Sequence, residues 1–245
     1  MITLFRRVRE KLLGEGNVRK YLLYAIGEIM LVVIGILIAL QINNWQENQK
    51  LRATELETLA EIEQALIQDI SVLDTNLAVL ETKRQQAREL IDHIEQKQPH
   101  SERLDMLMMD VYYHRGYKTF NTAAFELLKE RGLGIVQNSE LRNKITGHYT
   151  TDLADINSIL NRLESINLLR AENIFTNFKI YADEEGLGYM SAYDYDELAE
   201  DPSVFGPFYH FELLAAAYHV NLSSFKTKSE QILNAVTAEL EQRQG

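Results

Sequence analysis

The stretch YAIGEIMLVVIGILIALQINNW, residues 24–45, decides what kind of protein this chain is. Its central part, residues 29–40, is wholly apolar apart from Gly35, and the stretch carries a single carboxylate, Glu28. A cleaved signal peptide has a short apolar centre followed by small residues at the cut site, but here the centre is followed by QINNW. A transmembrane helix needs about 20 predominantly apolar residues. The sequence therefore predicts an uncleaved membrane anchor over residues 21–45, in preference to a signal peptide or a buried core helix.

The flanks of this span predict its orientation. Aromatic residues, which favour membrane interfaces, stand near its two ends: Tyr21, Tyr24 and Trp45. Residues 1–20 contain six Lys or Arg and two Glu, whereas Lys50 and Arg52 are the only basic residues shortly after the span. Because short basic flanks stay in the cytoplasm, we expect residues 1–20 to be a cytoplasmic tail and the rest to lie in the periplasm, anchored in the inner membrane.

The charge of the chain limits its partners. The formal net charge is −11, but residues 46–245 alone hold 19 basic and 33 acidic side chains and so carry −14. Nucleic acid is an unsuitable partner because phosphate binding needs a basic surface. The chain has no cysteine, which excludes disulfides and thiolate metal sites. The partners that remain are the lipid bilayer and other proteins.

After the span, residues 46–98 contain neither glycine nor proline, so one helix is predicted to continue from the membrane until Pro99 stops it. Within it, leucine and isoleucine recur with the 4-3-4-3 spacing of a coiled coil, which predicts a buried helical seam. The seam residues are Leu66, Ile70, Leu73, Leu77 and Leu80.

Residues 99–245 are predicted to complete a helical bundle. Capping signals indicate a short helix from Ser101 to about His114, a second from Asn121 to Arg131, a long one from Ser139, and a last one after a loop over residues 183–207. One face of the last helix carries Leu222, Phe225, Ser229, Ile232 and Val236. No strand pattern of convincing length is present. The expected fold is all-α, an antiparallel bundle of three long and two short helices.

Motifs for chemistry are missing from the sequence. In YDYDELAED, Leu198 stands where a calcium loop needs an oxygen ligand and Ala199 where it needs glycine. The six histidines show no zinc-ligand spacing, and no dinucleotide loop, Walker lysine or nucleophile elbow is present. The sequence therefore predicts a protein that is not an enzyme and that has no cofactor or metal.

Two blocks carry a family resemblance: KYLLYAIGEIMLVVIGILIALQINNW, residues 20–45, and FNTAAFELLKERGLGIVQNSELRNKI, residues 120–145. They resemble a family of small membrane-anchored proteins from Bacteroidota, catalogued as a domain of unknown function with the number 6090. The resemblance is most specific at the anchor, in the G-E-I and Q-I-N-N-W elements. It implies an inner-membrane protein and supplies no activity, substrate or catalytic residue.

Glu28 is the first candidate functional residue. On a helical wheel, small and polar residues lie within about 60° of it, a pattern that suits close helix packing. The members of this stripe are Ala25, Gly35, Ala39 and Asn43. A charge near the middle of a span is costly, so Glu28 is predicted to lie at a helix–helix contact. Two alternatives are that it reaches the cytoplasmic headgroups or that it lines an ion or proton path.

The second candidate is an aromatic loop with its flanking residues, which could form a recognition surface or a ligand pocket. The alternative is that these rings cap the end of the bundle. The residues are Tyr189, Tyr193, Tyr195, Phe205, Phe208 and Tyr209.

These features favour a membrane-anchored scaffold or interaction protein that associates with itself or with another envelope protein. The alternative function is a subunit of an oligomeric ion or proton pathway that uses Glu28. A sensor is disfavoured because the predicted cytoplasmic tail, residues 1–20, is too short for an output domain.

Overall fold

The computed structural model describes residues 18–112, 117–169 and 176–244. The chain divides into two compact units, Met1–Glu55 and Leu56–Gly245. The elements in chain order are α1 Val18–Glu95, α2 Glu102–Tyr112, α3 Ala123–Arg131, a 3-10 turn Leu133–Ile135, α4 Ser139–Gly147, a π-helical turn His148–Asp152, α5 Leu153–Leu169, β1 Phe178–Ala182, β2 Gly188–Ala192, α6 Tyr195–Leu198 and α7 Pro202–Gln244.

The first unit contains the N-terminal part of α1. Large apolar side chains between Leu22 and Trp45 are exposed on every side of this helix. Among the described residues, this is the one helix long and apolar enough to cross a membrane. The predicted tail, residues 1–20, falls almost entirely outside the described residues.

In the second unit, α1 and α7 run antiparallel. Residues that come later in α1 pair with residues that come earlier in α7. The pairs are Glu63 with Thr237 (2.5 Å), Asp74 with Lys226 (2.7 Å) and Arg88 with Glu212 (2.8 Å). After α1 has ended, Lys97 pairs with Glu200 just ahead of α7 at 2.8 Å, which continues the same order.

Between α1 and α7 in the sequence, the chain runs along the bundle twice more, and each of these runs is called a pass. First, α2 and α3 return along α1: Gln86 bonds to Asp110, Asn76 to Lys118, and Arg131 to Thr58. Then α4 and α5 form one pass that is antiparallel to α7, as the contacts of Asn138 with Glu239 and Asp152 with Lys228 show. The result is an antiparallel four-pass bundle whose second pass is broken.

The predicted helix starts at Ser101 and Asn121 lie within two residues of the observed starts of α2 and α3, the cap of α3 is Thr122, and the predicted end at His114 lies outside the described residues. Ser101 Oγ accepts the Leu104 N–H at 3.2 Å, and the Asn121 side chain accepts the Ala123 N–H at 3.0 Å. The long helix begins at Ser139 as predicted, with Asn138 as its cap. Other limits lie close by: α1 ends at Glu95, before Pro99, and α2 is described to Tyr112.

The predicted seam is confirmed only in part. Leu66, Leu73 and Leu80 are fully buried, whereas Ile70 and Leu77 are half-buried. The fully buried face of α1 therefore includes every second residue of the predicted seam, and the other two seam residues lie at its edge. The predicted face of α7 is buried at every position: Leu222, Phe225, Ser229, Ile232 and Val236.

The all-α prediction is wrong in one region, because β1 and β2 form an antiparallel hairpin. Along β1 the side chains alternate, with Phe178 buried and Lys179 exposed. Each strand has only five residues, too few for the alternation to be convincing in the sequence. The hairpin turn is held by Asp183, whose Oδ1 accepts the N–H groups of Glu185 and Leu187.

The predicted limits of the last loop are also wrong. The loop was expected to extend to residue 207, but α7 begins at Pro202 and includes Pro207. Proline fits the first position of a helix, since its missing N–H has no partner there in any case. An internal proline costs a hydrogen bond, and here the flanking rings of Phe205 and Phe208 are buried in the bundle, which stabilises the helix on both sides of it.

Candidate functional site

The Glu28 stripe has no partner inside the described chain. Glu28, Gly35, Ala39 and Asn43 are exposed, and Ala25 is half-buried. A Cβ atom placed on Gly35 would meet nothing within 4 Å. The stripe is therefore accessible along its length, and its proposed helix–helix contact stays a prediction.

The aromatic residues of the second candidate separate into two groups. Tyr189, Tyr195, Phe205 and Phe208 are buried. The ring of Phe205 meets Phe178 of β1 edge to face at 6.5 Å, so these rings join the hairpin to α7. Tyr193 and Tyr209 are exposed, by 69% and 39%. A recognition surface built from this set would thus consist of Tyr193 and Tyr209, and its role stays a prediction.

One cluster looks like a catalytic triad but lacks the geometry of one. The His100 Nε2 lies 2.7 Å from Asp105 Oδ1 and 3.4 Å from Ser191 Oγ. A proton relay needs the acid on one ring nitrogen and the nucleophile on the other, whereas both groups here meet the same nitrogen. The cluster instead connects β2 to α2 and to the turn that precedes α2.

Two buried polar side chains on α1 were not predicted from the sequence. Asn76 donates its Nδ2 to the Lys118 carbonyl and accepts the Lys118 N–H at its Oδ1, both at 3.0 Å. Asp69 Oδ1 accepts the Asn121 N–H at 3.1 Å. These side chains satisfy backbone groups of Lys118 and Asn121, which precede α3 and belong to no helix or strand.

Asp69 belongs to a buried polar tier that crosses the bundle. Its Oδ2 lies 3.5 Å from the hydroxyl of Tyr149. Burial raises the pKa of Asp69 to about 6, while hydrogen bonds from Asn121 and Tyr149 oppose that rise. Burial likewise raises the pKa of Tyr149. Burial therefore favours the protonated form of the Asp69 carboxyl group.

His148 lies beside Tyr149 and opens the π-helical turn. Its ring is 1% exposed and stacks on Phe225 at a centroid distance of 4.7 Å. Burial lowers the pKa of His148 to about 4, and its Nδ1 has no hydrogen-bond partner among the described residues. Single π-turns in α-helices are frequent at functional sites. Here the turn directs an uncharged histidine into the core.

No group of three or more metal-ligating side chains was found among the described residues. The ion pairs that the structure shows either lie within one helix, as Lys144–Glu140 does, or connect two elements, as the two bonds from Arg103 to Glu89 at 2.9 and 2.7 Å do.

The comparisons with known proteins identify a family and no function. No curated protein and no solved structure matches the chain. A family model matches residues 28–161, more than half of the chain, from Glu28 in α1 to Asn161 in α5. The match includes the block at residues 120–145 that carried the resemblance, whereas the hairpin and α7 lie beyond its end. The chain belongs to the family of unknown function DUF6090.

Proposed function

We propose that this protein is an interaction or scaffold protein anchored in the inner membrane, with residues 21–45 as the span and a periplasmic helical domain. The observation that carries the proposal is the exposed apolar surface of α1 from Leu22 to Trp45. Soluble monomers rarely expose apolar patches larger than a few hundred Å². A helix whose apolar side chains are exposed on every side fits a lipid environment.

The energetics favour insertion despite Glu28. A charged residue at a helix centre costs about 2.5–3.5 kcal/mol on insertion scales. Each Leu, Ile, Val or Phe contributes about 0.3–0.6 kcal/mol in the opposite direction, and nine Leu, Ile or Val residues lie between Ile29 and Leu40. The apolar residues therefore offset the carboxylate.

Membrane association is tested by fractionation of the full chain followed by alkaline extraction. The wild type should stay in the membrane pellet, whereas the double variant Val33→Arg with Ile38→Arg should become extractable. Ile67→Arg is the matched control, because Ile67 is an exposed apolar residue of the helical domain. Equal extraction of the wild type and the double variant would exclude an integral span.

Orientation is tested with two C-terminal fusions, one to a reporter active only in the periplasm and one to a reporter that fluoresces only in the cytoplasm. The excess of basic residues before the span predicts activity from the first and none from the second. The opposite pattern would place the helical domain in the cytoplasm.

The interaction role is the remaining part of the proposal. The Glu28 stripe is open to a second copy or to the span of another envelope protein, because no part of the described chain covers it. The alternative function, an ion or proton pathway through Glu28, needs several copies around a common axis. A strictly monomeric protein in lipid nanodiscs would exclude the pathway and self-association together.

A further inference from the structure

The outer edge of β1 lies beside an open cleft in the helical domain. The cleft has a volume of about 880 Å³. Its walls come from α1 between Thr75 and Gln86, from α2 between Met106 and Asp110, and from the hairpin between Ile180 and Gly188. All of these residues belong to the second unit, and the apolar part of the wall includes Val79, Met109 and Leu187.

The hydrogen-bond pattern of the hairpin shows which backbone groups point into the open. Two directly opposed residue pairs are hydrogen-bonded, since Tyr193 donates to Asn177 and Asp183 donates to Leu187. Opposed pairs in an antiparallel ladder alternate between bonded and non-bonded. Ile180 and Ala182 therefore occupy non-bonded positions, and the N–H and C=O groups of both point away from β2.

These four backbone groups have no partner among the residues that the structure describes. Neither Ile180 nor Ala182 makes a backbone hydrogen bond on the side away from β2 with any of residues 18–112, 117–169 and 176–244. Both residues line the cleft. An open strand edge is a template for another chain, since it presents unpaired donors and acceptors at the spacing of an extended backbone.

The cleft also differs in charge from the rest of the domain. Residues 46–245 carry −14, yet the ionisable side chains lining the cleft are Lys83 and Lys118 with a single acid, Asp110. Lys83 donates to the Asp110 carbonyl, and the Asp110 carboxylate accepts from Gln86 at 2.8 Å. Lys118 is exposed. The residues that line the cleft thus supply two positive charges and one negative charge beside an apolar wall.

We propose that the outer edge of β1 is a docking site for an extended peptide segment of a partner protein, which adds a third strand and carries an acidic side chain to Lys118. Main-chain hydrogen bonds supply affinity in such strand addition, and side-chain contacts along the cleft supply selectivity. A compact small molecule does not offer alternating donors and acceptors at strand spacing. This inference goes beyond the proposed function, because it does not depend on how the protein is anchored.

The experiment uses the full chain in detergent micelles and a fluorescent probe peptide, acetyl-Glu-Val-Glu-Val-Thr-Val-amide. The control peptide has the same side chains but is N-methylated at alternate amides, which removes the donors needed for strand pairing. We expect the probe to bind at least about tenfold more tightly than the control, the equivalent of about 1.4 kcal/mol. Equal binding of both peptides, or no binding of either, would overturn the proposal.

Amide hydrogen exchange locates the contact. The N–H groups of Ile180 and Ala182 should exchange rapidly in the free protein and become protected when the probe is added. Protection of both amides before the peptide is added would show that the edge is already paired, and this result also overturns the proposal.

Two substitutions test the edge and the charge separately. Ala182→Pro removes one outward N–H and leaves the bonds to β2, so it should weaken binding about tenfold, whereas Ala182→Val should bind like the wild type. If the proline variant fails to fold, Lys118→Glu tests the proposal in its place, because Lys118 is exposed and its substitution should leave the fold intact. Undiminished binding by Lys118→Glu contradicts the charge contact.

Discussion

Asp69 and His148 should have opposite effects on the pH dependence of stability, so that their contributions oppose each other in the wild type. Both are buried in the same tier of the bundle, on either side of Tyr149. Asp69 faces the Asn121 amide and Tyr149, while the charged groups that act on His148 are Asp152 and Lys228. The perturbations are Asp69→Asn, which keeps a side-chain acceptor, and His148→Phe, which keeps a flat ring against Phe225.

The signs follow from linkage between protonation and folding. The pKa of Asp69 rises from 3.8 to about 6 on folding, so its stabilising contribution is complete below pH 4 and is lost as pH rises through 6. The pKa of His148 falls from 6.5 to about 4, so its contribution is complete above pH 6.5 and is lost as pH falls through 4. Each shift amounts to roughly 3 kcal/mol at 1.36 kcal/mol per unit. Between pH 4 and 7 the two slopes have opposite signs, so the two contributions offset each other.

Each single variant should therefore reveal the slope of the group that remains. Of the two contributions, His148→Phe keeps only that of Asp69, so this variant should itself lose about 2 kcal/mol of unfolding free energy between pH 4 and pH 7. Asp69→Asn should gain about 2–3 kcal/mol over the same range, because only the His148 term is left. The assay is urea unfolding of the full chain in micelles at a series of pH values, followed by far-ultraviolet circular dichroism.

The difference between a variant and the wild type at each pH isolates the group that was substituted, because the contributions of all other groups are common to both proteins. His210→Phe is the control, since His210 is exposed and lies outside the buried tier. The reasoning is refuted if the two variants change in the same direction with pH, or if both differences stay constant within about 0.5 kcal/mol.

Three further predictions follow from packing and hydrogen bonding. Leu73→Ala should cost about 2–5 kcal/mol in unfolding free energy because Leu73 is fully buried, and the half-buried Leu77→Ala should cost clearly less; equal costs would contradict the observed burial. Asn76→Ala should cost about 2–4 kcal/mol, since it leaves both backbone groups of Lys118 without partners, and hydrogen exchange at the Lys118 amide should accelerate. Glu28→Gln should retain chemical cross-linking between copies in membranes and Glu28→Leu should reduce it; the same cross-linking yield for both variants and the wild type would exclude the contact.

The sequence by itself determined the features that depend on local chemistry. The apolar length of residues 24–45 identified a helix able to cross a membrane, whatever the rest of the chain does. Ser101 and Asn121 begin helices because their side chains bond to nearby backbone N–H groups, an interaction confined to a few residues. The apolar face of α7 could be identified from periodicity alone, and the family from two blocks of sequence.

The tertiary structure alone decided which residues share the core of the bundle. Asp69 and Asn76 look like surface residues in the sequence, because nothing local shows that the backbone of Asn121 and Lys118 will need them as partners. His148 is buried by a π-helical turn, which changes the register of the helix by one residue without a sequence signal. The hairpin has strands too short to show periodicity, and it is held by α2 and α7, so the burial of Tyr189, Phe205 and Phe208 depends on contacts between distant parts of the chain. Periodicity indicates which face of a single helix or strand is buried. The partners of buried polar groups and of short strands depend on how separate elements pack together.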